Sequence, residues 1–204
     1  MLEKFLEKTE FADYNDFFAN YKINVPERFN FGYDVVDYLA TERPDAKALV
    51  WCNDADEEIT FTFKDIKDRS DEAAAFFLKQ GIKKGDFVML ILQRRYEFWI
   101  SIIALHKIGA VVIPATHMLT KEDIIFRCST ASIKAIIAVD NRDLFKYIEE
   151  SKMECPSLTT LIAVPPFGID KKFSETDLEL HADWMDFQSR KIFRTYDPDA
   201  TSGT

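Results

Sequence analysis

Residues 85–114 read GDFVMLILQRRYEFWISIIALHKIGAVVIP, and this stretch decides the fold. Phe87 to Leu92 is an unbroken apolar run, as expected of a strand buried on both faces rather than one. Tyr96 to Ile108 carries its apolar residues at helical spacing and is closed by Gly109. Ala110 to Ile113 is a second apolar run, ended by Pro114. Strand, helix and strand in so short a stretch make a parallel crossover unit.

The same alternation extends in both directions. Thr62 with Asp65 three residues on is a capping-box start, followed by Phe63, Ile66, Ser70, Ala73, Ala74 and Phe77 at helical spacing and closed by Gly81. Upstream, Ala48–Trp51 and Ile59–Phe63 flank the polar turn Asn53-Asp54-Ala55-Asp56 and predict a β-hairpin. Downstream, Thr120 with Asp123 opens another capped helix. Ala135–Val139 reads as a strand, Asn141–Ser151 as a helix and Leu158–Val164 as a fourth strand. The predicted fold class is α/β, a parallel sheet with helices on both faces plus a β-hairpin at one side.

On this reading the chain has three parts. Residues 1–47 are a lead-in with short helices, one near Tyr14–Tyr21 and one from Asp34 to Glu42. Residues 48–164 form the α/β sub-domain. Residues 165–204 form a peripheral tail, marked by Pro165-Pro166, scattered charge and weak periodicity.

Composition narrows the function. The 204 residues are 47% hydrophobic with 18 Phe, which excludes a disordered or low-complexity chain. A formal net charge of −9 argues against coating of DNA or RNA, so no nucleic-acid partner is expected. Small anionic ligands stay possible, because local basic groups rather than the mean field hold them. Cys52, Cys128 and Cys155 are odd in number and lack CxxC spacing, which favours a reducing compartment over a disulfide framework or zinc site. There is no signal-peptide run and no membrane span, since His106, Lys107 and Gly109 break the most apolar stretch. The expected location is cytoplasmic.

Ligands of open α/β sheets gather beyond the C-terminal ends of the strands. Here those ends are Gln93-Arg94-Arg95, Pro114-Ala115-Thr116-His117-Met118 and Asp140-Asn141-Arg142. Thr116, His117 and Met118 place a hydroxyl, an imidazole and a thioether in one loop, which is either a ligand loop or an ordinary strand–helix connection. Arg94 and Arg95 either grip a phosphate or carboxylate or make surface ion pairs, for instance with Glu97. His106 reads as a satisfied, half-buried side chain, and His181 carries no signal. Neither GxGxxG nor GxxxxGK occurs, and no metal-binding spacing is present. Thr201-Ser202-Gly203-Thr204 is small and hydroxyl-rich, as a phosphate-wrapping loop or a frayed end would be.

Laid out in this order, the chain resembles the N-terminal part of the AMP-forming acyl-CoA synthetases of the adenylate-forming superfamily. The resemblance rests on Thr60–Phe63 with Asp71 and Ala73-Ala74, on Gly81 to Val88, and on Glu97-Phe98-Trp99. It continues through Lys107 to Pro114 and from Leu119-Thr120 to Arg127, and it covers about residues 30–164. Val25 to Phe31 with Asp34–Asp37 is most similar to the acetyl/medium-chain acyl-CoA synthetase branch. The resemblance implies ATP, Mg²⁺ and coenzyme A as substrates and cofactor, with a small-molecule carboxylate as the acid. It places Thr116, His117 and Met118 at the coenzyme A channel and Thr201–Thr204 at the start of the ATP phosphate loop. It also implies a truncated portion of the enzyme, ending where that loop begins or before it, with no catalytic residue inside the chain and no activity alone. The competing reading is a non-catalytic α/β binding or interaction module that keeps the fold. Exposed apolar sheet edges would favour a homo-oligomer.

Overall fold

The computed structural model describes residues 2–139 and 141–165 and the backbone of Trp184–Asp186. The chain forms two compact units, residues 1–30 and 31–204.

In the first unit, a 3₁₀ turn over Leu2–Lys4 leads to an isolated antiparallel bridge between Leu6 and Ile23. Helix α1 spans Tyr14–Asn20, with the Asp13 carboxylate accepting from the Asp16 N–H at 2.8 Å. Asp16 accepts in turn from Lys8 Nζ (2.5 and 2.7 Å), the Ala12 N–H (2.8 Å) and Asn20 Nδ2 (2.7 Å). The Lys8 hydrogen bond first, then those from Ala12 and Asn20, hold its carboxyl down at a pKa of about 2. A carboxyl titration followed by NMR should find Asp16 ionised well below the ordinary aspartate range. The bonds to Lys8 and Asn20 are present above the unfolded-state pKa and are lost as the pH falls through about 2. An Asp16 midpoint near 4 would contradict this geometry.

The second unit opens with a π-helical turn, Gly32–Asp37, that runs straight into α2, Tyr38–Glu42. The sequence reading has one amphipathic helix beginning at Asp34. The π turn instead starts two residues earlier, and its extra residue keeps Val36 and Leu39 buried while Asp37 meets Lys107. Strands β1 (Lys47–Cys52) and β2 (Glu58–Thr62) pair antiparallel as the predicted hairpin. Helix α3 (Phe63–Lys79) starts from the predicted capping box of Thr62 and Asp65. Then come β3 (Phe87–Ile91), α4 (Tyr96–Lys107), β4 (Val111–Pro114), α5 (Lys121–Ala131), β5 (Ala135–Val139), α6 (Arg142–Lys152) and β6 (Thr160–Val164). The Thr120–Asp123 box caps α5, and Gly81, Gly85 and Gly109 take the positive φ that a helix stop or tight turn requires.

All pairings in the main sheet are parallel, in the order β4-β3-β5-β6-β7, where β7 is Trp184–Asp186. Strand β7 lies within the stretch 165–204 that the sequence reads as a peripheral tail, and the rest of that tail after Pro165 lies outside the described residues. The residues of β7 contribute an edge to the sheet beside β6.

Alternate residues of each strand feed two cores. Val88, Leu90, Ala135 and Ile137 pack with Phe76 and Phe77 of α3 and Ile100 and Ala104 of α4. Met89, Ile91, Ile136 and Ala138 pack on the other face with Ile124 of α5 and Phe145 and Ile148 of α6. The hairpin joins the first face, with Trp51 edge-on to Tyr96 at 5.5 Å and Phe61 at 5.2 Å from the same ring. Cys128 and Cys155, distant in sequence, share the second core. Both are free thiols, and burial first, then the neighbouring Cys155, pushes Cys128 up to about 12.

Candidate functional site

The connections after β3 and β4 leave the sheet on opposite faces, α4 toward one core and α5 toward the other. A cleft of about 850 Å³ opens between their starts, with the hairpin turn as a third wall. Its position follows the rule for open α/β sheets.

The β3 wall is built by a sharp reversal. Leu92 is buried, Gln93 takes a left-handed φ of 51°, and Arg94 emerges exposed at the rim. The Arg94 carbonyl accepts from the Trp51 indole N–H at 2.7 Å, which ties this turn to the hairpin. Arg95 then folds inward. Its Nε and Nη2 donate to the two carboxylate oxygens of Glu97 at 3.0 and 2.7 Å, and the side chains are 1% and 0% exposed. The sequence reading pairs Arg95 with Glu97 but places the pair on the surface. The structure corrects that, because Tyr96 and the apolar start of α4 carry both side chains into the core. The two arginines therefore separate, one structural and one at the cleft.

The β4 wall continues the ladder, with the Ala115 N–H donating to the Leu90 carbonyl at 2.9 Å. Thr116 and His117 line the cleft. The Thr116 hydroxyl accepts from the Met118 N–H at 3.3 Å, and Leu119, 4% exposed, anchors the far end of the loop. Met118 is 74% exposed and is not among the cleft-lining residues. Two of the three loop residues singled out from sequence thus meet at the cleft and the third points elsewhere.

The hairpin wall was not foreseen. Asn53 organises it, its Oδ1 accepting from the Ala55 and Glu57 N–H groups at 3.0 Å each while its Nδ2 donates to Glu57 at 2.6 Å. Cys52, Asn53, Asp54 and Ala55 thereby face Arg94 and His117 across the opening, over a floor of Leu90, Leu92 and Phe98. An Asn-led turn between two strands was visible in the sequence. That it closes a cleft depends on the packing of Trp51 on Tyr96.

The third strand end contributes nothing to this cleft among the described residues. Asn141 caps α6 by accepting from the Leu144 N–H at 3.1 Å, and Arg142 begins that helix. His106 is half-buried as expected, edge-on to Phe31 at 6.3 Å, and burial pushes its pKa down. Asp140, His181 and Thr201 to Thr204 lie outside the described residues. Among the described residues no group of three or more His, Cys, Asp or Glu is placed to hold a metal ion, and no helix is long and apolar enough to cross a membrane.

Residues 36–200 match the family of AMP-binding enzymes, well past residue 164, where the motif resemblance ends. The mitochondrial acyl-coenzyme A synthetase ACSM5 of Rattus norvegicus is 35% identical over 146 residues, 69% of this chain and 25% of the relative. The mitochondrial acyl-coenzyme A synthetase ACSM1 of Mus musculus is 30% identical over 182 residues, 86% of this chain and 29% of the relative. The chain thus spans about a quarter of the length of the curated relatives it matches. Acetoacetyl-CoA synthetase from Streptomyces lividans has the same fold, with a TM-score of 0.66 at 18% identity over 83% of this chain and 25% of that one. Family match, close relatives and shared fold agree, and the chain belongs to the AMP-binding enzymes.

Proposed function

We propose that this chain serves an ATP-dependent, AMP-forming carboxylate–coenzyme A ligase as its N-terminal part. In the first half-reaction the carboxylate displaces pyrophosphate from ATP and gives an acyl-adenylate. In the second, the thiol sulfur of coenzyme A bonds to the acyl carbon, the bond to AMP breaks, and the thiol proton leaves to solvent. AMP is a far better leaving group than hydroxide, so the work left to the protein is orientation and charge stabilisation. Mg²⁺ would enter as the counter-ion of the ATP phosphates. The small-molecule acid fits the relatives' names, which are those of acyl-coenzyme A synthetases.

The observation that carries the reading is the cleft at the ends of β3 and β4, lined by Thr116 and His117 in a chain of this family. There the hydroxyl and the imidazole can orient an incoming coenzyme A. The test is His117→Glu in the intact protein. An added carboxylate on the cleft wall should raise KM for coenzyme A by about 10-fold through like-charge repulsion, with KM for ATP little changed. Met118→Glu, outside the lining, should have the smaller effect. Equal coenzyme A kinetics in wild type and His117→Glu would remove the loop from the channel.

A further inference from the structure

Among the described residues the cleft carries one cation with no ion-pair partner, and its backbone is held from two sides. Arg94 is the one Arg or Lys among the described lining residues, and it makes no ion pair with any described acid. Its carbonyl is fixed by the Trp51 indole, and the next residue is locked by the buried Arg95–Glu97 pair. The guanidinium is therefore presented at the rim from a rigid base. A planar fork of this kind matches a phosphate far better than it matches water.

The other walls limit where an anion can sit. Asp54 on the hairpin turn repels one from that side. Asn53 spends its amide inside the turn, on Ala55 and Glu57. The floor of Leu90, Leu92 and Phe98 suits a base or another apolar body, and about 850 Å³ is ample for a nucleotide. In a chain of formal charge −9, an anionic ligand needs such a local cation.

We propose that Arg94 is a specificity residue of the cleft, pairing with the phosphate monoester on the nucleotide end of coenzyme A and so favouring it over its dephosphorylated form. This rests on the ligase reading above. No bond is made or broken at Arg94. Its effect is on binding alone.

The test is calorimetric titration of the intact protein with coenzyme A, 3′-dephospho-coenzyme A and ATP, for wild type, Arg94→Gln and Arg94→Lys. A charged hydrogen-bond pair predicts that wild type binds coenzyme A roughly 10-fold or more tighter than the dephospho form. Arg94→Gln should bind the two equally, and Arg94→Lys, with charge but no fork, should fall between. Thermal melts of the variants should match wild type, because Arg94 is exposed. Equal affinities in wild type, or a preference that survives in Arg94→Gln, overturns the assignment and leaves the ligase reading standing. A loss confined to ATP also overturns it, by giving the guanidinium to the other nucleotide. If wild type binds neither coenzyme and forms no thioester, the ligase reading fails and takes the assignment with it.

Discussion

Lys107→Met should destabilise the second unit by about 3–5 kcal/mol, the range for removing one partner of a buried ion pair. The Lys107 side chain is 0% exposed, and its Nζ donates to Asp37 at 2.7 Å and to Asp71 at 2.5 Å. Asp71 also accepts from Lys67 at 2.6 Å, and the Tyr33 hydroxyl donates to the Lys107 carbonyl at 3.3 Å. One ammonium therefore ties the π turn, α3 and α4 together. Methionine fills the same volume, so the expected loss is electrostatic rather than a cavity. At roughly 2–4 °C per kcal/mol for a domain of this size, the midpoint should fall by about 10 °C in a calorimetric scan.

The pH dependence distinguishes this cause from a packing defect. Burial already pushes the Asp37 carboxyl above the ordinary aspartate range, with the hydrogen bond from Lys107 opposing the rise. A raised folded-state pKa means that stability is fully present below the unfolded pKa and falls as pH rises through the folded one. Removing Lys107 removes the opposing effect, so the deficit of Lys107→Met against wild type should shrink as the pH is lowered from 7 toward 4. Lys107→Met combined with Asp37→Asn should recover part of the loss at neutral pH. A deficit that is independent of pH and unrelieved by Asp37→Asn would point to packing instead.

The contrast between Lys107 and the strands explains which features were legible. Phe87–Ile91 and Ala135–Val139 announce themselves because a strand covered on both faces must be apolar at every position. Both Thr–Asp capping boxes were legible because the interaction lies within four consecutive residues. Lys107 pairs with residues 70 and 36 positions away, a meeting that only the tertiary fold arranges. The π turn at Gly32–Asp37 was hidden for another reason, since Val35, Val36 and Leu39 suit an α-helical face equally well. Strand β7 is three residues, Trp184–Asp186, too short for any periodicity to register.

The candidate site divides the same way. Strand ends and the Thr116-His117-Met118 loop were readable from topology, but the third wall required knowing that Trp51 packs on Tyr96. Arg95 and Glu97 did leave a signal. Two opposite charges two residues apart, between the apolar runs before Gln93 and after Phe98, are hard to solvate separately.

That pair supports the other large expected effect. Glu97→Ala should cost about 3–5 kcal/mol, because it takes the carboxylate of a buried ion pair away from its guanidinium. Arg95→Met should be similarly damaging by leaving the carboxylate behind. Replacing both partners, Arg95→Met with Glu97→Leu, removes the desolvation penalty together with the attraction, and such swaps are often neutral or stabilising by about 1–4 kcal/mol. The double variant should therefore melt near wild type although each single variant melts far below it, a strongly non-additive cycle. The pair also holds the turn from which Arg94 projects, while the Trp51 indole holds that turn independently through the Arg94 carbonyl at 2.7 Å. If the indole alone keeps Arg94 in place, the stable double variant will bind coenzyme A as wild type does. If the ion pair is needed for position, stability will return without affinity. Additive losses in the two single variants, with no recovery in the double, would show that the pair does not act as a unit.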